Sequence, residues 1–316
     1  MIEEKTKRTR SKKYEIEEKE IIKKEEHKQE KIKEKKEHPL LKKILLIIAS
    51  IIILVILYST LIGTRIIDIN EYKIESNQLP DSFHGIKIVH FSDIHYGTTI
   101  NKKQLDNIVE KINNLKPDII FFTGDLIDKN IKLDKETTNE IIESLNKLEC
   151  TLYKYAIYGD EDLNNNSYKD IITKSNFTLL ENTSTLLYYK NQTPIEITGY
   201  NPIITSPNYT ILTDIVEEQD TTNYYKIVLT HEPDSIDKFI NYNPNLVLSG
   251  HSLGGLINIP FTKTIFLPKN SKKYYEEYYK IKNTELYISN GLGTSGINAR
   301  LNNHPSINLY RFYKTK

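Results

Sequence analysis

The feature that most limits how this chain can fold is an unbroken apolar run near its N-terminus. Residues 44–62 carry no charged side chain, within the segment KKILLIIASIIILVILYSTLIGTR. As a helix these 19 residues extend roughly 28 Å at ~1.5 Å per residue, about the thickness of the hydrocarbon core of a bilayer. A buried helix of a soluble protein rarely lacks a polar face over such a length. The run therefore predicts one transmembrane anchor, which we assign to residues 40–64.

A cleaved signal peptide is the alternative explanation for this run. The charged region ahead of it is too long for a signal peptide, and no small-x-small cleavage site follows. Basic residues are denser before the run than after it, where only Arg65 and Lys73 lie close; those before it are Lys33, Lys35, Lys36, Lys42 and Lys43. The positive-inside rule then predicts a single-pass protein of the cell membrane, with a cytoplasmic N-terminus and the large domain outside.

Residues 1–39 form a tail composed almost wholly of Lys and Glu, as in EIEEKEIIKKEEHKQEKIKEKKEH. Its apolar side chains are too few to offset the entropy of the chain by building a core, and they do not sustain a coiled-coil heptad. We expect a charged cytoplasmic tail that is either disordered or a single solvated helix supported by i,i+4 Glu–Lys pairs.

The remaining residues, 65–316, are numerous enough for one large α/β domain with its own core. The chain carries 43 basic and 42 acidic side chains, for a formal net charge of +1, and this balance gives no sign of a nucleic-acid partner. The single cysteine, Cys150, excludes an intrachain disulfide and a cluster of thiolate ligands.

Nearly every predicted strand of this domain runs directly into Asp, His or Gly. The runs IKIVHF, IIFF, YKYAIY, YKIVLT and LVLS continue into SDIH, TGDLID, GDED, HEPD and GHS. Helical spacing of apolar residues predicts helices in NKKQLDNIVEKINNLKPD, ending near Pro117, and in KETTNEIIESLNKL. The stretch 163–215, rich in Asn, Thr and Tyr, is expected to be an irregular surface portion. Loops at the carboxyl ends of strands are where α/β proteins place their sites.

Two chemistries fit the segment LVLSGHSLGGL, residues 246–256. As Gly-x-Ser-x-Gly it would make Ser252 the nucleophile of an α/β-hydrolase. That fold needs a helix next, whereas INIPFTKTIFLP follows, with β-branched residues and two prolines. It also needs an acid and then a His after the Ser, and no Asp follows Ser252. These departures disfavour a serine hydrolase.

A metal site accounts for side chains far beyond this segment. Two residues at i and i+2 of an extended chain project to the same side, so an Asp-x-His pair presents one oxygen and one nitrogen together. A carboxylate can bridge two cations, and two cations together clamp a phosphate and activate a water. The pattern predicts one or two divalent ions (Mn, Mg, Fe or Zn), held by Asp93, His95, Asp125, Asp160, His231 and His251.

In these motifs the chain resembles the calcineurin-like metallophosphoesterases, particularly their membrane-anchored bacterial branch. The family pattern is Asp-x-His, Gly-Asp, Gly-Asn-His-Asp/Glu, a lone His and Gly-His-x-His, and the resemblance covers about residues 66–316. It implies an α/β fold in which two mixed sheets form a sandwich flanked by helices, here preceded by the transmembrane helix and the charged tail. It also implies a first metal held by Asp93, His95 and Asp125, and a second held by Asp125, Asp160, His231 and His251.

Three positions depart from the family pattern. Asp160 stands where the family has Asn, Glu161 where it has the His that assists the leaving group, and Leu253 where it has a ligand of the first metal. The change to Asp keeps an oxygen ligand, whereas Leu253 leaves the first metal three protein ligands. Two dications with two carboxylates leave a positive site, but Asp160 and Glu161 bring the sum to zero and weaken the attraction for phosphate.

We therefore expect a membrane-anchored, metal-dependent phosphoesterase. Its substrate would be a phosphodiester or phosphomonoester, either a small molecule or a lipid, attacked by a metal-activated water. The alternative is a catalytically impaired relative that binds metal or a phosphorylated ligand and acts as a sensor or scaffold.

Overall fold

The computed structural model describes residues 2–34, 39–190, 192–202, 224–262, 264 and 266–316. The chain divides into two compact units, Met1–Val55 and Ile56–Lys316. This division falls inside the predicted anchor, and the predicted segments 1–39, 40–64 and 65–316 stay a prediction. Lys35 and Lys36, on which the predicted orientation partly depends, lie outside the described residues.

The first unit is helical. Helix α1 is Ile2–Glu34, and its described side chains, those of residues 14–31, are all exposed. Helix α2 is Pro39–Leu57 and continues as a π-helical turn, Tyr58–Ile62. Together they contain the span Leu40–Ile62, 23 residues that are long and apolar enough to cross a membrane. Only 6% of its most apolar window is buried.

The second unit alternates strands with helices. Its described helices are α3 (Lys102–Leu115), α4 (Lys135–Asn146), α5 (Tyr168–Lys174) and α6 (Ile236–Phe239). Its described strands are β1 (Asp68–Ser76), β2 (Lys87–Phe91), β3 (Ile119–Phe122), β4 (Tyr153–Ala156), β5 (Thr178–Leu179), β6 (Thr183–Leu187), β7 (Ile195–Tyr200), β8 (Tyr225–Thr230), β9 (Leu246–Ser249), β10 (Tyr278–Ile281), β11 (Thr284–Ile288) and β12 (Ser306–Lys314).

The strands form two mixed six-stranded sheets. The first has the order β1-β12-β2-β3-β4-β5, and the second has the order β10-β11-β9-β8-β7-β6. Strands β2, β3, β4 and β5 run parallel, as do β7, β8, β9 and β11. Each sheet therefore presents several carboxyl ends at a single edge, which is the arrangement that gathers strand-end side chains.

Alternation along the strands explains how the layers stack. In β2 and β3, Ile88, Ile119 and Phe121 face the second sheet and pack with its residues, including Ile197 and Leu229. The side chains between them, such as Val89, Ile120 and Phe122, face α3, α4 and α5. Helix α6 covers the outer face of the second sheet, where Ile236 and Phe239 pack on Val228 and Val247. The predicted two-sheet sandwich flanked by helices is confirmed.

Local sequence signals determine where helix α3 begins and ends. Asn101 caps α3, since its side chain accepts from the amides of Lys103 and Gln104 while Gln104 reaches back to the amide of Asn101. The helix ends at Leu115, just ahead of Pro117 as the sequence predicts, with Lys116 in the left-handed region.

The expectation of an irregular surface portion at 163–215 is wrong for its described part. That part contains α5, β5, β6 and β7, and every side chain of β7 is buried. Glu196, Thr198 and Gly199 make the sequence of β7 look like that of a surface segment. The strand is nevertheless buried, because its outer face packs under a polar cluster in which Tyr242 donates to Glu196. The rest of the stretch lies outside the described residues.

Burial of β7 predicts a strong effect of Ile197 on stability. Ile197→Ala removes a fully buried side chain between the sheets, which typically costs about 2–5 kcal/mol. For a domain of this size the melting temperature falls by roughly 4–20 °C. The matched control is Leu186→Ala on the neighbouring β6, where the side chain is 38% exposed. Thermal unfolding of the full chain in detergent compares the two variants, and equal melting temperatures would contradict the buried placement of β7.

Candidate metal centre

Five loops at the carboxyl ends of strands converge on one point. Asp93 and His95 follow β2, Asp125 follows β3, and Asp160 follows β4 in the first sheet. His231 and His251 follow β8 and β9 in the second sheet. All six predicted residues therefore meet where the edges of the two sheets come together, although 158 positions separate Asp93 from His251.

The carboxylate of Asp125 lies at the centre of this cluster. Its Oδ2 is 3.2 Å from His231 Nε2 and 3.6 Å from His95 Nε2. Asp160 Oδ1 is 3.2 Å from His231 Nε2 and 3.1 Å from His251 Nδ1. Asp93 Oδ1 closes the other side, 3.8 Å from His95 Nε2 and 3.9 Å from His231 Nε2.

These donors fall into two groups that share Asp125. One contains Asp93, His95 and Asp125; the other contains Asp125, Asp160, His231 and His251, and within each the donor atoms lie within 4.8 Å of one another. They are the same two groups that the family resemblance assigns to two metals. The structure brings all six side chains together, and their role as ligands stays a prediction.

The chemistry of the cluster fits divalent cations. His231 Nε2 and Asp160 Oδ1 are buried and have no hydrogen-bond partner among the described residues, despite their 3.2 Å separation. Their orientations therefore do not satisfy each other. Buried polar atoms without partners are costly unless something else pairs with them. Carboxylate oxygens and imidazole nitrogens aimed at a common space suit Mn²⁺, Mg²⁺, Fe²⁺ or Zn²⁺.

Backbone carbonyls fix which nitrogen carries the hydrogen in the neutral form of two of the histidines. His231 Nδ1 lies 2.6 Å from the carbonyl oxygen of Thr123, and His251 Nε2 lies 2.7 Å from that of Lys269. A carbonyl can only accept, so these nitrogens carry hydrogens and donate. The other nitrogen of each ring, Nε2 of His231 and Nδ1 of His251, is the one that faces the cluster. Histidines that bind metals are usually oriented in this way.

The backbone of the site is itself unusual. Asp93, His95, Asp125 and His251 have φ angles of 52°, 44°, 57° and 66°, in the left-handed region that non-glycine residues seldom occupy. Such conformations persist where the surrounding contacts fix them, and they gather at functional sites. Gly159 helps to fix one, because a Cβ at this position would overlap the carboxylate of Asp125.

Asp162 is a site residue that the sequence did not reveal. Its fully buried carboxylate accepts from the backbone amides of Asp125, Leu126 and Gly159 at 2.6, 3.0 and 2.9 Å. It thereby joins the loop after β3 to the loop after β4. The motif GDED contains three acidic residues in a row, and nothing in their order shows which one faces inward to the backbone.

Opposite charges hold the cluster together. Burial alone would lower the pKa of His95, but Asp93, Glu161 and Asp125 outweigh it and raise the pKa to about 10. Burial likewise opposes the charge of His231, whose pKa is nevertheless raised well above its ordinary value by Asp125 and Asp160. Burial would raise the pKa of Asp93, but the contact with His95 and the charge of His231 prevail and lower it to about 2. Metal ligation requires neutral imidazoles, so cations compete with these protons.

Glu161, which replaces the family's His, contacts His95. Its Oε2 is 3.4 Å from His95 Nδ1 and accepts from the backbone amide of Lys129, while Oε1 accepts from Lys129 Nζ at 3.1 Å and from Ser295 Oγ at 3.1 Å. Burial opposes ionisation, but His95 and Lys129 lower the pKa of Glu161 to about 2. Glu161 is thus an ionised carboxylate and not a proton donor. Lys129, which no motif reveals, supplies a neighbouring positive charge.

Leu253 lies where the family resemblance places it, at the first group of donors. A Cβ at Gly291 would touch both Leu253 and the Asp93 side chain. The buried Arg300 donates to the carbonyl oxygen of Leu253 at 3.4 Å, and Asn303 Nδ2 donates to it at 2.6 Å. The backbone of Leu253 has a φ of 50°, in the left-handed region.

Ser252 lacks the surroundings of a nucleophile. Its buried Oγ accepts from the amide of Gly254 at 3.1 Å. The chain continues as a short 3₁₀ turn, Leu253–Gly255, instead of the packed helix that a nucleophile elbow requires. The structure therefore agrees with the metal interpretation of the segment 246–256.

A cavity of about 350 Å³ opens beside the cluster. Its lining includes polar groups, among them Asp125, Lys129 and Asp160. Its lining also includes the apolar residues Leu253, Leu256, Phe266, Leu267, Pro268 and Ile297. The cavity therefore suits a molecule that has one polar and one apolar part.

Comparison with known proteins agrees with this geometry. The family model described as calcineurin-like phosphoesterase matches residues 86–255. The metallophosphoesterase YkuE of Bacillus subtilis is 32% identical over 82% of this chain and 90% of its own length. A zebrafish (Danio rerio) transmembrane protein with a metallophosphoesterase domain is 25% identical over 75% of this chain and 54% of its own. The UDP-2,3-diacylglucosamine pyrophosphatase LpxG of Chlamydia muridarum is 27% identical over 59% of this chain and 70% of its own.

The contacts of Asp162 predict that it stabilises the centre. In Asp162→Asn an amide NH₂ replaces one of the accepting oxygens, so at least one buried backbone N–H loses its partner at a cost of about 1–3 kcal/mol. The melting temperature should fall by roughly 2–12 °C. Asp170→Asn is the control, because Asp170 pairs with Lys174 on the surface with 59% of each side chain exposed. Equal melting temperatures for the two variants would show that Asp162 does not hold the two loops.

Proposed function

The chain belongs to the calcineurin-like phosphoesterase family and is a metal-dependent phosphoesterase, and from this premise we propose that Asp125 and the five donors around it hold one or two divalent ions at which a phosphodiester or phosphomonoester is hydrolysed. The observation that carries the proposal is the convergence of all six donors on one buried point. Three changes from the family pattern have not separated them.

In this proposal Asp93, His95 and Asp125 hold the first ion, and Asp125, Asp160, His231 and His251 hold the second. Bound divalent ions supply an activated water and positive charge for the phosphate oxygens. In the neutral rings that ligation requires, the carbonyls of Thr123 and Lys269 hold the hydrogens on His231 Nδ1 and His251 Nε2, so the facing nitrogens would be available to a cation.

Glu161 positions His95, whereas the His that the family has at this place assists the leaving group. Its Oε2 lies 3.4 Å from His95 Nδ1, at an ion-pair distance, on the side of the ring opposite to Nε2, which faces Asp93 and Asp125. Lys129 offsets the extra negative charge, because its ammonium is paired with Glu161 and lines the cavity. Its side chain is 61% exposed, so it can turn towards a phosphate at little cost and partly restore the attraction that the added carboxylates remove.

We also propose that the enzyme is anchored in the cell membrane by the span Leu40–Ile62. Support comes from the length and exposure of this helix, and from a relative described as a transmembrane protein. The excess of Lys before the span gives the orientation, with the N-terminus in the cytoplasm and the catalytic domain outside.

A lipid or another small phosphoester is the substrate class that fits best. The cavity has apolar lining residues beside its polar ones, and one relative is named for a diacylated nucleotide sugar. A catalytically impaired sensor or scaffold is the less favoured function, because the six remaining donors still converge on one buried point.

Hydrolysis of bis-p-nitrophenyl phosphate by the full chain in detergent tests this function. With Mn²⁺ we expect turnover, and Asp125→Asn should reduce it more than about a hundredfold, since even the hydrogen-bonding partners of metal ligands typically contribute 10–100-fold. Ser252→Ala is the control and should retain turnover. Loss of activity in Ser252→Ala, or tight binding of Mn²⁺ with no turnover of a broad phosphoester panel, would contradict the proposal.

Position 253 offers a gain-of-function prediction. Leu253→His should raise the affinity for Mn²⁺ by about tenfold or more, because it adds a fourth protein ligand to the first metal. Even groups that only support the ligands typically change metal affinity 10–100-fold. Histidine also tolerates the left-handed backbone of this position better than leucine does. Leu256→His, on the wall of the same cavity, is the matched control. Calorimetric titration measures both variants, and no gain at 253 beyond that at 256 would refute the assignment of this position.

A further inference from the structure

An apolar loop stands out from the surface beside the cavity. We define the apolar loop as Ile259, Phe261, Phe266 and Leu267, within the sequence INIPFTKTIFLP. Phe261 is fully exposed, and Ile259 and Phe266 are 46% and 44% exposed. Isolated apolar residues at a surface are ordinary, but a cluster of large ones next to a site indicates a surface that is covered in use.

The apolar loop lies next to the end of the candidate anchor. Residues Ile56–Ile62 of that helix belong to the same compact unit as the catalytic domain. The amide of Arg300 donates to the carbonyl oxygen of Ser59 at 2.9 Å, and a Cβ at Gly63 would overlap the backbone of Arg300. The helix end is therefore packed directly against the segment around Arg300.

The same segment carries the apolar loop. Leu301, next to Arg300, donates its amide to the carbonyl of Leu256 at 3.0 Å and accepts from the amide of Asn258 at 2.9 Å. Asn258 immediately precedes Ile259 in the chain. Three backbone hydrogen bonds thus connect Ser59, at the end of the span, with the start of the apolar loop.

We propose that the apolar loop inserts into the lipid surface beside the anchor and that the enzyme takes an amphiphilic phosphoester directly from the bilayer. The substrate part of this proposal rests on the proposed function. In the proposed setting the span crosses the membrane and ends at its surface, and a loop beside that end would meet the boundary between head groups and acyl chains. Aromatic and aliphatic side chains settle in that zone.

The cavity continues the apolar loop towards the metal cluster. Phe266 and Leu267 belong to both, and Leu253 and Leu256 extend the apolar wall to the donors. Lys269, which follows Leu267 closely, is exposed and can contact an anionic head group. The phosphate would lie at Asp125 and Lys129 while the acyl portion leaves along the wall towards the bilayer.

The absence of tryptophan from the sequence makes a direct test possible. Phe261→Trp gives the full chain a single tryptophan on the apolar loop, and its exposure means that the change leaves the packing intact. The protein is reconstituted in phosphatidylcholine and phosphatidylglycerol vesicles whose upper acyl chains carry bromine. We expect emission to fall about twofold or more relative to unbrominated vesicles, because interfacial side chains lie about 5–10 Å deep, within reach of the bromines.

Tyr153→Trp is the matched control. Tyr153 is 49% exposed, but it begins β4 and so lies at the sheet edge opposite the site. The tryptophan of this control should be quenched by aqueous iodide and not by brominated lipid. Equal iodide quenching of the Phe261→Trp and Tyr153→Trp variants in vesicles would overturn the insertion. A second outcome would also overturn the insertion. If, in detergent, the protection of the Phe261→Trp tryptophan from iodide increases with protein concentration, a second copy of the chain covers the apolar loop instead of lipid.

The substrate class is tested with n-alkyl phosphates binding to the Mn²⁺-loaded full chain. Burial along the apolar wall should strengthen affinity by up to about fourfold per added methylene. Phe266→Ser should flatten this series, whereas Leu186→Ser, with similar exposure on β6, should not. A flat series in the unaltered protein would overturn the amphiphilic substrate. Since the fluorescence experiment needs no turnover, its outcome is separate from that of the phosphoesterase assay.

Discussion

The bridging position of Asp125 is the interaction on which the rest of the site depends. Its Oδ2 lies between His95 and His231, its Oδ1 accepts from the amide of Glu161 at 3.0 Å, and its own amide donates to Asp162. This one residue therefore joins three strand-end loops of the first sheet to the second sheet. The left-handed backbone at Asp125 and the missing side chain of Gly159 are the local conditions that permit it.

Much of the fold and the site follows from the sequence, because both depend on local signals. Apolar runs of strand length that end in Asp or His mark the loops, and parallel strands bring those loops to one edge. Strand β7 was missed because Glu196, Thr198 and Gly199 mask its burial, which depends on partners such as Tyr242 in distant parts of the sequence. The alternation of apolar and polar residues along one strand does not reveal a polar cluster that supplies hydrogen-bond partners to its buried polar side chains.

The remaining parts of the site could not be predicted from the sequence for a different reason. Asp162 and the carbonyls that orient the histidines act through backbone contacts, and such contacts leave no residue pattern. Lys129 contacts Glu161, 32 positions away, through both its amide and its ammonium. Glu161 illustrates the difference. Its place in the motif shows what it replaces, but only the geometry shows that it pairs with His95 and Lys129.

The packing of Ser59 against Arg300 has a consequence for how such an enzyme meets its substrate. A catalytic domain on a slack tether would tumble and sample the bulk solution, whereas here Ile56–Ile62, which directly follow the first unit, belong to the unit of the catalytic domain, and Ser59 is hydrogen-bonded to Arg300. In the proposed setting its encounters are confined to two dimensions. The rate of turnover would then depend on the surface density of the substrate within the leaflet and not on its concentration in the surrounding solution.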